Sequence, residues 1–187
     1  KITLRETVRD SLNRLLSQNY IGRTGETYNF LTDEEQDVAV DIKNTVVDSN
    51  QITQSIAQTV FGDIYPAKKF KHGRYDFSYD QYIDETLNGS ASGGIRLRVI
   101  TVASDHYKDS DQQLIMESQV NNEAIVVLSG DTPYYDELEQ AMKIRKYVKQ
   151  KNVSQLPETI QDIIRKRQQQ ARHLEDRAKG YLEKAIV

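Results

Sequence analysis

The sequence predicts a mixed α+β fold: a helix and hairpin at its start, a small mixed-sheet α/β unit in its middle and a long helix at its end. Three patterns lead to this prediction. Apolar residues recur at helical spacing behind two capping sequences, aromatic residues alternate with polar ones around residues 70–79, and a heptad pattern runs through the last segment. The predicted regions are residues 1–35, 36–65, 66–152 and 153–187.

Residues 1–35 have the pattern of a helix followed by a short β-hairpin. Thr3 and Glu6 have the spacing of a capping box, in which each side chain accepts a hydrogen bond from the backbone N–H of the other residue. Tyr28 and Phe30 then alternate with polar residues, and Gly25 stands at the expected turn. Because a recognition helix and a wing follow one another in this order, we interpret the region as a partial winged helix.

Basic side chains in this region are candidate contacts to duplex DNA. Arg5, Arg9 and Arg14 lie on the predicted helix and Arg23 lies on the wing, and arginine pairs with both phosphates and guanine edges. Acidic residues in the same region dilute this positive charge, and winged helices also serve as protein–protein modules within large ATPases. Both functions stay open for this region.

Two further helices are predicted between residues 36 and 65. Thr32 and Glu35 form a second capping box ahead of the first apolar stripe, and the second stripe runs up to Gly62, a candidate C-terminal cap. The stripe residues are Val38, Ile42 and Val46 in the first helix and Ile52, Ile56 and Val60 in the second.

Residues 66–152 are predicted to form the α/β unit. A hairpin turns at Gly73, strands cover residues 95–102 and 124–128 with a short helix between them, and Pro133 occupies the first position of the next helix. This order of strands and helices favours parallel strands joined by a right-handed crossover. The expected buried stripe of the last helix consists of Leu138, Ala141, Met142, Ile144 and Val148.

Residues 153–187 are predicted to form one long basic helix. Ala171, Ala178 and Ala185 repeat every seven residues and permit close helix–helix approach, while Arg167 weakens the seam. The pattern fits a coiled-coil-like helix that pairs with another chain, or an amphipathic helix packed on its own chain. Both ends of the sequence fall within helical patterns, so we expect an internal piece of a longer protein.

Charge is distributed unevenly along the chain. Residues 143–187 contain twelve Lys and Arg against five Asp and Glu, whereas residues 1–142 contain thirteen against twenty-three. The basic region either pairs with the acidic body or is solvated, or it meets nucleic acid or an acidic partner. The candidate basic interaction face consists of Lys68, Lys69, Lys71, Arg165, Lys166 and Arg172.

Composition excludes several classes of function. The chain contains no cysteine, which excludes disulfides, cysteine zinc sites and thiol catalysis. No segment is apolar enough to span a bilayer, so we expect no membrane partner and a cytoplasmic location. The glycine-rich segment 88–94 precedes a strand and lacks a following lysine, unlike a phosphate-binding loop.

No catalytic, cofactor-binding or metal-binding residue is predicted. His72, His106 and His173 lie far apart in the sequence and are expected at the surface. The acidic residues around His106 are attributed to a polar loop, and Ser129 lacks the glycine pattern of an exposed nucleophilic serine. We therefore expect a chain that is not itself an enzyme and carries no cofactor.

Three segments resemble a known family. They are residues 7–15 leading into 25–36, residues 75–78, and residues 144–148 ahead of the basic helix. Together they are similar to the region that follows the ATPase domain in the large P-loop protein of BREX bacteriophage-exclusion systems, the PglY/BrxC type.

The resemblance implies a piece of a phage-defence ATPase whose ATP site lies outside this chain. The implied function is non-catalytic coupling between the ATPase domain and partner proteins or DNA. The implied partners are other parts of the same large protein and proteins of the defence complex, with double-stranded DNA as a further candidate. The alternative is a DNA-binding regulatory module that uses the winged helix and the basic C-terminal helix.

Overall fold

A computed structural model describes residues 3–24 and 27–186, and within them the predicted α+β class is confirmed. The helices are Leu4–Ser17 (α1), Asp33–Lys43 (α2), Ser49–Gln58 (α3), Asp111–Asn121 (α4), Tyr134–Gln150 (α5) and Glu158–Ile186 (α6). The strands are Ile21–Thr24 (β1), Thr27–Phe30 (β2), Lys69–His72 (β3), Tyr75–Ile83 (β4), Thr86–Asn88 (β5), Ile95–Ile100 (β6) and Glu123–Val127 (β7).

The chain divides into two compact units. The first comprises residues 1–46 and 143–171, and the second comprises residues 47–142 and 172–187. Among the described residues, no helix is both long enough and apolar enough to cross a membrane.

The first unit begins with the predicted helix and hairpin. The Thr3 N–H donates to the Glu6 carboxylate at 2.8 Å and the Glu6 N–H donates to Thr3 Oγ1 at 3.4 Å, so the capping box is confirmed. The strands β1 and β2 are antiparallel, with Ile21 opposite Phe30. Gly25, the predicted turn residue, lies outside the described residues. The order of helix and hairpin is confirmed, while the winged-helix interpretation stays a prediction.

The second capping box of this unit is also present. The Thr32 N–H donates to Glu35 at 3.1 Å, and the Glu35 N–H donates to Thr32 Oγ1 at 3.3 Å. The stripe predicted for this helix is wrong at one position, because α2 ends at Lys43 and Val46 lies beyond it with 77% of its surface exposed. The buried apolar residues of the unit are Ile21, Val38, Ile42, Ile144, Tyr147, Ile163, Ile164 and Ala171.

The second unit contains a mixed five-stranded sheet. Its order is β3-β4-β6-β7, and β5 pairs with β4 beside this path. The contacts of β4 with β6 and of β6 with β7 are parallel, while β3 and β5 run antiparallel to β4. The parallel strands predicted around the short helix are therefore confirmed, as is the hairpin turn at Gly73, whose φ is +61°.

One face of this sheet forms the apolar core of the second unit. Side chains alternate between the two faces of a strand, so Ile83, Val99 and Val126 point to the face packed by α3, α5 and α6. Tyr134, Ala178 and Leu182 are fully buried in the same cluster. The predicted stripe Ile52, Ile56 and Val60 belongs to this core as well.

The end of this stripe differs from the prediction. Gly62 does not cap the helix, because α3 passes into a π-helical turn, Thr59–Ile64, that contains it. The wider turn keeps Val60 and Phe61 buried, and the Tyr65 N–H donates to the Val60 carbonyl at 2.7 Å. Burial of these two side chains stabilises the turn more than a glycine cap would, since apolar burial is the larger contribution.

The glycine-rich segment before β6 has a structural role. Asp80 accepts hydrogen bonds from the Ser92 N–H and hydroxyl and from the Gly93 N–H. A Cβ on Gly94 would lie 2.4 Å from the Ser78 carbonyl oxygen. Glycine is therefore required where this segment crosses the backbone of β4.

A second close approach involves Gly130, in the turn after β7. A Cβ at this position would lie 2.4 Å from the hydroxyl oxygen of Tyr107 and 3.3 Å from a methyl carbon of Val102. The absence of a side chain lets the tyrosine ring lie against this turn.

The long C-terminal helix is confirmed as α6. Ala171 is fully buried in the first unit and Ala178 is fully buried in the second. These small side chains therefore serve packing within the chain. Burial lowers the pKa of Arg167, which donates to Gln170 at 2.9 Å.

We expect Asp80→Asn to lower the melting temperature at neutral pH and to change the acid side of the stability profile. Hydrogen bonds from Ser92 and Gly93 hold the pKa of Asp80 below its ordinary value of 3.8. A depressed folded-state pKa contributes stability above the unfolded-state pKa, and this contribution is lost as the pH falls through the folded-state value.

Thermal unfolding between pH 7 and pH 2.5 measures this effect. The difference between wild type and Asp80→Asn should shrink below about pH 4. Asp76→Asn, at an exposed position of the same strand, serves as the control. A constant difference over the whole pH range would contradict this assignment.

Candidate functional site

The arginines predicted to contact DNA do not share one face of α1. Arg5, Arg9 and Arg14 are exposed, but at 3.6 residues per turn Arg14 is rotated by about 180° from Arg5. Arg23 lies on β1 with its guanidinium 5.7 Å from the centre of the Tyr28 ring. The helix therefore presents Arg5 and Arg9 on one side and Arg14 on the other.

The residues of the predicted basic face are distributed over both units. Arg165 pairs with Asp162, and Lys166 Nζ lies 3.8 Å from Glu35; all four residues belong to the first unit. The second unit contains Arg172 and the lysines around β3, which are exposed and include Lys69 opposite Ser78 and Lys71 opposite Asp76. Arg165 and Lys166 thus form ion pairs, and Lys71 has an acidic residue opposite it in the sheet.

A polar cluster occupies the carboxyl ends of β4 and β6. Asp84 follows β4 with φ +51°, and its carboxylate accepts from the Thr101 N–H at 2.7 Å and from the Thr101 hydroxyl at 2.9 Å. Burial raises the pKa of Asp84 although these hydrogen bonds oppose the shift. The Tyr134 hydroxyl accepts from the Val102 N–H at 3.1 Å, and burial raises its pKa to about 12.

Arg98 is the centre of a buried ion-pair network on the sheet face opposite the core. Its side chain is 8% exposed. Its Nη2 atom lies 2.5 Å from Glu117 and 2.9 Å from Glu123, and its Nη1 atom lies 4.0 Å from Glu85. Glu117 comes from α4 and Glu123 opens β7, so the network joins a helix to two strands.

His106 lies beside this network, in a 3-10 turn after β6. Its Nδ1 atom lies 2.7 Å from Asp109 Oδ2 and 3.2 Å from Glu117 Oε1, while its Nε2 atom lies 3.9 Å from Glu85. The hydrogen bond with Asp109 and the charge of Glu117 raise the pKa of His106, against the effects of burial and of Arg98.

This arrangement provides charge and hydrogen bonding around one imidazole. Ser104 caps the turn and donates its hydroxyl to Glu85 at 3.1 Å, and Ser129 donates to Asp131 at 2.9 Å in a local turn. Both hydroxyls are thus bound by carboxylates, which is a structural rather than a nucleophilic arrangement.

Sequence reasoning missed this network. The sequence analysis attributes the acidic residues around His106 to a polar loop, and Arg98 lies within the strand predicted for residues 95–102. The available signal is a charged residue within the predicted strand 95–102, together with Glu123 directly before the predicted strand 124–128. Buried charges in proteins are paired, so each of these residues implied a partner elsewhere in the chain.

A comparison with known families connects this architecture to a defence system. Residues 45–187 match the family described as the BREX ATP-binding protein BrxC 4th domain with six-stranded beta sheet. The chain belongs to the BrxC family of BREX proteins. The resemblance inferred from three short segments is thereby confirmed, and the phage-defence context follows from the family.

The match covers the whole second unit and part of the first. The described residues of the matched BrxC region form five strands, one fewer than the family description prints. The segment with the predicted DNA contacts, residues 1–35, lies outside the match. No solved structure matches this chain significantly.

We expect Arg98→Met to lower the free energy of unfolding by about 3–5 kcal/mol, because it leaves Glu123 buried without its cation. Arg96→Met is the matched control two residues earlier on β6. Arg96 is exposed and contacts the Tyr82 ring at 5.2 Å, so its loss should cost at most about 1 kcal/mol.

Urea denaturation of both variants measures the difference. Adding Glu123→Gln to Arg98→Met should restore part of the lost stability, because the uncompensated charge is removed. Equal costs for the two methionine variants would show that the network does not stabilise the sheet.

Proposed function

We propose that this chain is a non-catalytic coupling module of a BREX ATPase, and that it acts through protein–protein contacts of its second unit. The observation that carries the proposal is an exposed apolar surface, the α4–β7 surface, built from Leu114, Ile115, Ile125 and Val127 where α4 and β7 face each other. Contiguous exposed apolar patches on soluble proteins usually mark interaction sites.

The exposure of this surface is large for apolar side chains. Ile115 on α4 and Val127 on β7 are 57% and 41% exposed. A groove of about 410 Å³ lies between α4 and β7 and is lined by Leu114, Ile115, Ile125 and Val127 among others. Covering these groups would remove apolar area from water, at roughly 25 cal/mol per Å².

The edge of the sheet adds a second reason. Within the part of the chain that the structure describes, β7 pairs only with β6, so its other edge has no strand partner. At the start of that edge the Ser118 hydroxyl donates to the Glu123 carbonyl at 2.6 Å. Proteins usually protect such edges with proline, lysine or a covering element. The sequence of β7, Glu-Ala-Ile-Val-Val, carries none of these side chains, which favours a covering protein segment.

Composition favours a protein partner over DNA at this surface. Neither α4 nor β7 contains a lysine or an arginine, and DNA binding depends on cations that neutralise phosphates. We therefore assign this surface to another part of the parent ATPase or to a protein of the same defence complex.

A photo-crosslinking amino acid at Ile115 of the full-length ATPase, expressed with its defence complex, tests this proposal. We expect a crosslink to a component of that complex or to another domain of the ATPase, mapped by mass spectrometry. The same amino acid at Asp176, an exposed position of α6, should give none. Crosslinks that are equal at both positions would overturn the assignment.

A functional readout completes this test. Ile115→Lys with Val127→Lys should abolish protection in a plaque assay, because a charge in an apolar interface is costly. Gln150→Lys with Gln169→Lys adds the same charge at exposed polar positions and should retain protection. Retained protection in the first variant would remove the functional role of this surface.

DNA contact through α1 and the hairpin is the second candidate function, favoured by Arg5 and Arg9 on one exposed side of the helix. Fluorescence anisotropy of labelled duplex DNA at low and moderate salt measures it. Saturable binding that weakens with salt, and that is lost in Arg5→Glu with Arg9→Glu, supports it. Arg14→Glu, on the opposite side, is the matched control.

No binding at tens of micromolar protein, roughly the range of non-specific DNA affinity, would remove this candidate. An equal loss from Arg14→Glu would instead indicate a general effect of charge, without a defined contact face.

A further inference from the structure

Three potential metal ligands from two segments of the chain meet beside Arg98. His106 Nδ1 lies 2.7 Å from Asp109 Oδ2 and 3.2 Å from Glu117 Oε1, and the ligand atoms of the three residues lie within 4.8 Å of one another. Ligand atoms at about 2.0–2.2 Å around a tetrahedral ion stand roughly 3.3 Å apart. His106 Nδ1 and Glu117 Oε1 are already at this separation, while Asp109 Oδ2, which is hydrogen-bonded to the imidazole, would move slightly away from it to admit an ion.

The local charge also favours a cation. Asp109, Glu117 and Glu85 surround the imidazole, and Glu123 is a fourth carboxylate bound to Arg98. Four carboxylates against one guanidinium leave three negative charges in excess before any proton on the imidazole is counted. Carboxylates this close together repel one another strongly when they are partly buried. A divalent ion would offset most of the excess negative charge.

Glu85 and Arg98 lie next to the ligands and can hold them in position. Glu85 lies 3.9 Å from His106 Nε2, on the side of the ring away from Asp109 and Glu117. Arg98 binds Glu117 Oε2, which leaves Oε1 for the side of His106. Metal-binding histidines usually have a carboxylate near their second ring nitrogen, and ligating carboxylates are themselves hydrogen-bonded.

The backbone holds two of the ligands in place. The His106 N–H donates to the Ser104 hydroxyl at 3.2 Å, and the Asp109 N–H donates to the His106 carbonyl at 3.1 Å. The third ligand, Glu117, lies on the regular helix α4. Ligands on such short turns and helices need little reorganisation to bind an ion.

We propose that His106 Nδ1, Asp109 and Glu117 form a binding site for one divalent transition-metal ion of the zinc class, with water completing the coordination. One imidazole and two carboxylates suit Zn²⁺. Ca²⁺ prefers six to eight oxygen ligands, and Mg²⁺ prefers oxygen ligands with several retained waters. The ion would join the turn after β6 to α4. The site does not depend on the protein contacts proposed above.

Isothermal titration of ZnCl2 into the untagged, EDTA-treated chain tests this site. We expect saturable binding of one ion per chain, lost in His106→Ala and retained in His173→Ala, the control at an exposed histidine. Glu85→Gln should weaken binding by about 10–100-fold, as expected for a carboxylate that orients a ligating histidine. A rise in melting temperature with Zn²⁺ in wild type should follow the same order of variants.

Absence of saturable binding in wild type would overturn the proposal, as would an equal loss in His173→Ala. If His106→Ala fails to fold, the X-ray absorption spectrum of the zinc-loaded wild type decides the question. One imidazole with oxygen ligands supports the site, whereas two or more imidazoles would indicate chelation by other histidines.

Discussion

The buried guanidinium of Arg98 is the constraint that arranges one whole face of the sheet. A charge within a parallel sheet is stable only when paired and hydrogen-bonded. Its partners come from three stretches of chain, namely Glu85 after β4, Glu117 on α4 and Glu123 at the start of β7. The ion pair with Glu117 ties α4 to the sheet, together with the hydrogen bond from the Ser118 hydroxyl to the Glu123 carbonyl. The larger apolar side chains of α4, Ile115, Met116 and Val120, are left facing solvent.

The two faces of the sheet are therefore stabilised by different interactions. One face is an apolar core in which Ile83 and Val99 pack against three helices and a π-helical turn. The other face carries an ion network, an imidazole with acidic neighbours and an exposed apolar surface. Apolar cores stabilise a domain without specifying a partner. Both proposed binding sites, the apolar surface and the ion site, lie on the face with α4.

Local signals in the sequence predicted the elements well. Capping boxes, the turn at Gly73 and the helix after Pro133 depend on residues a few positions apart, so a linear pattern contains them. Errors arose where a pattern continued beyond its element. Val46 fits the helical period but follows the end of α2, and Gly62 resembles a cap but lies within a wider helical turn.

The candidate site was largely hidden from the sequence because it is built through space. Glu117 lies nineteen residues from Arg98 along the chain, and no spacing rule connects the two. For the arginines of α1, the sequence shows which residues are present but not which of them share a face. Their identities were evident, but helical rotation separates Arg14 from Arg5, which composition alone does not reveal.

The close approaches at Gly94 and Gly130 differ in how evolution can accommodate a change. The obstacle at Gly130 is the side chain of Tyr107, so a relative with a larger residue at position 130 can compensate with a smaller one at position 107, and the two sites should covary. At Gly94 the obstacle is the backbone carbonyl of Ser78, which no substitution removes. That glycine should therefore be invariant while the other changes in concert with its neighbour.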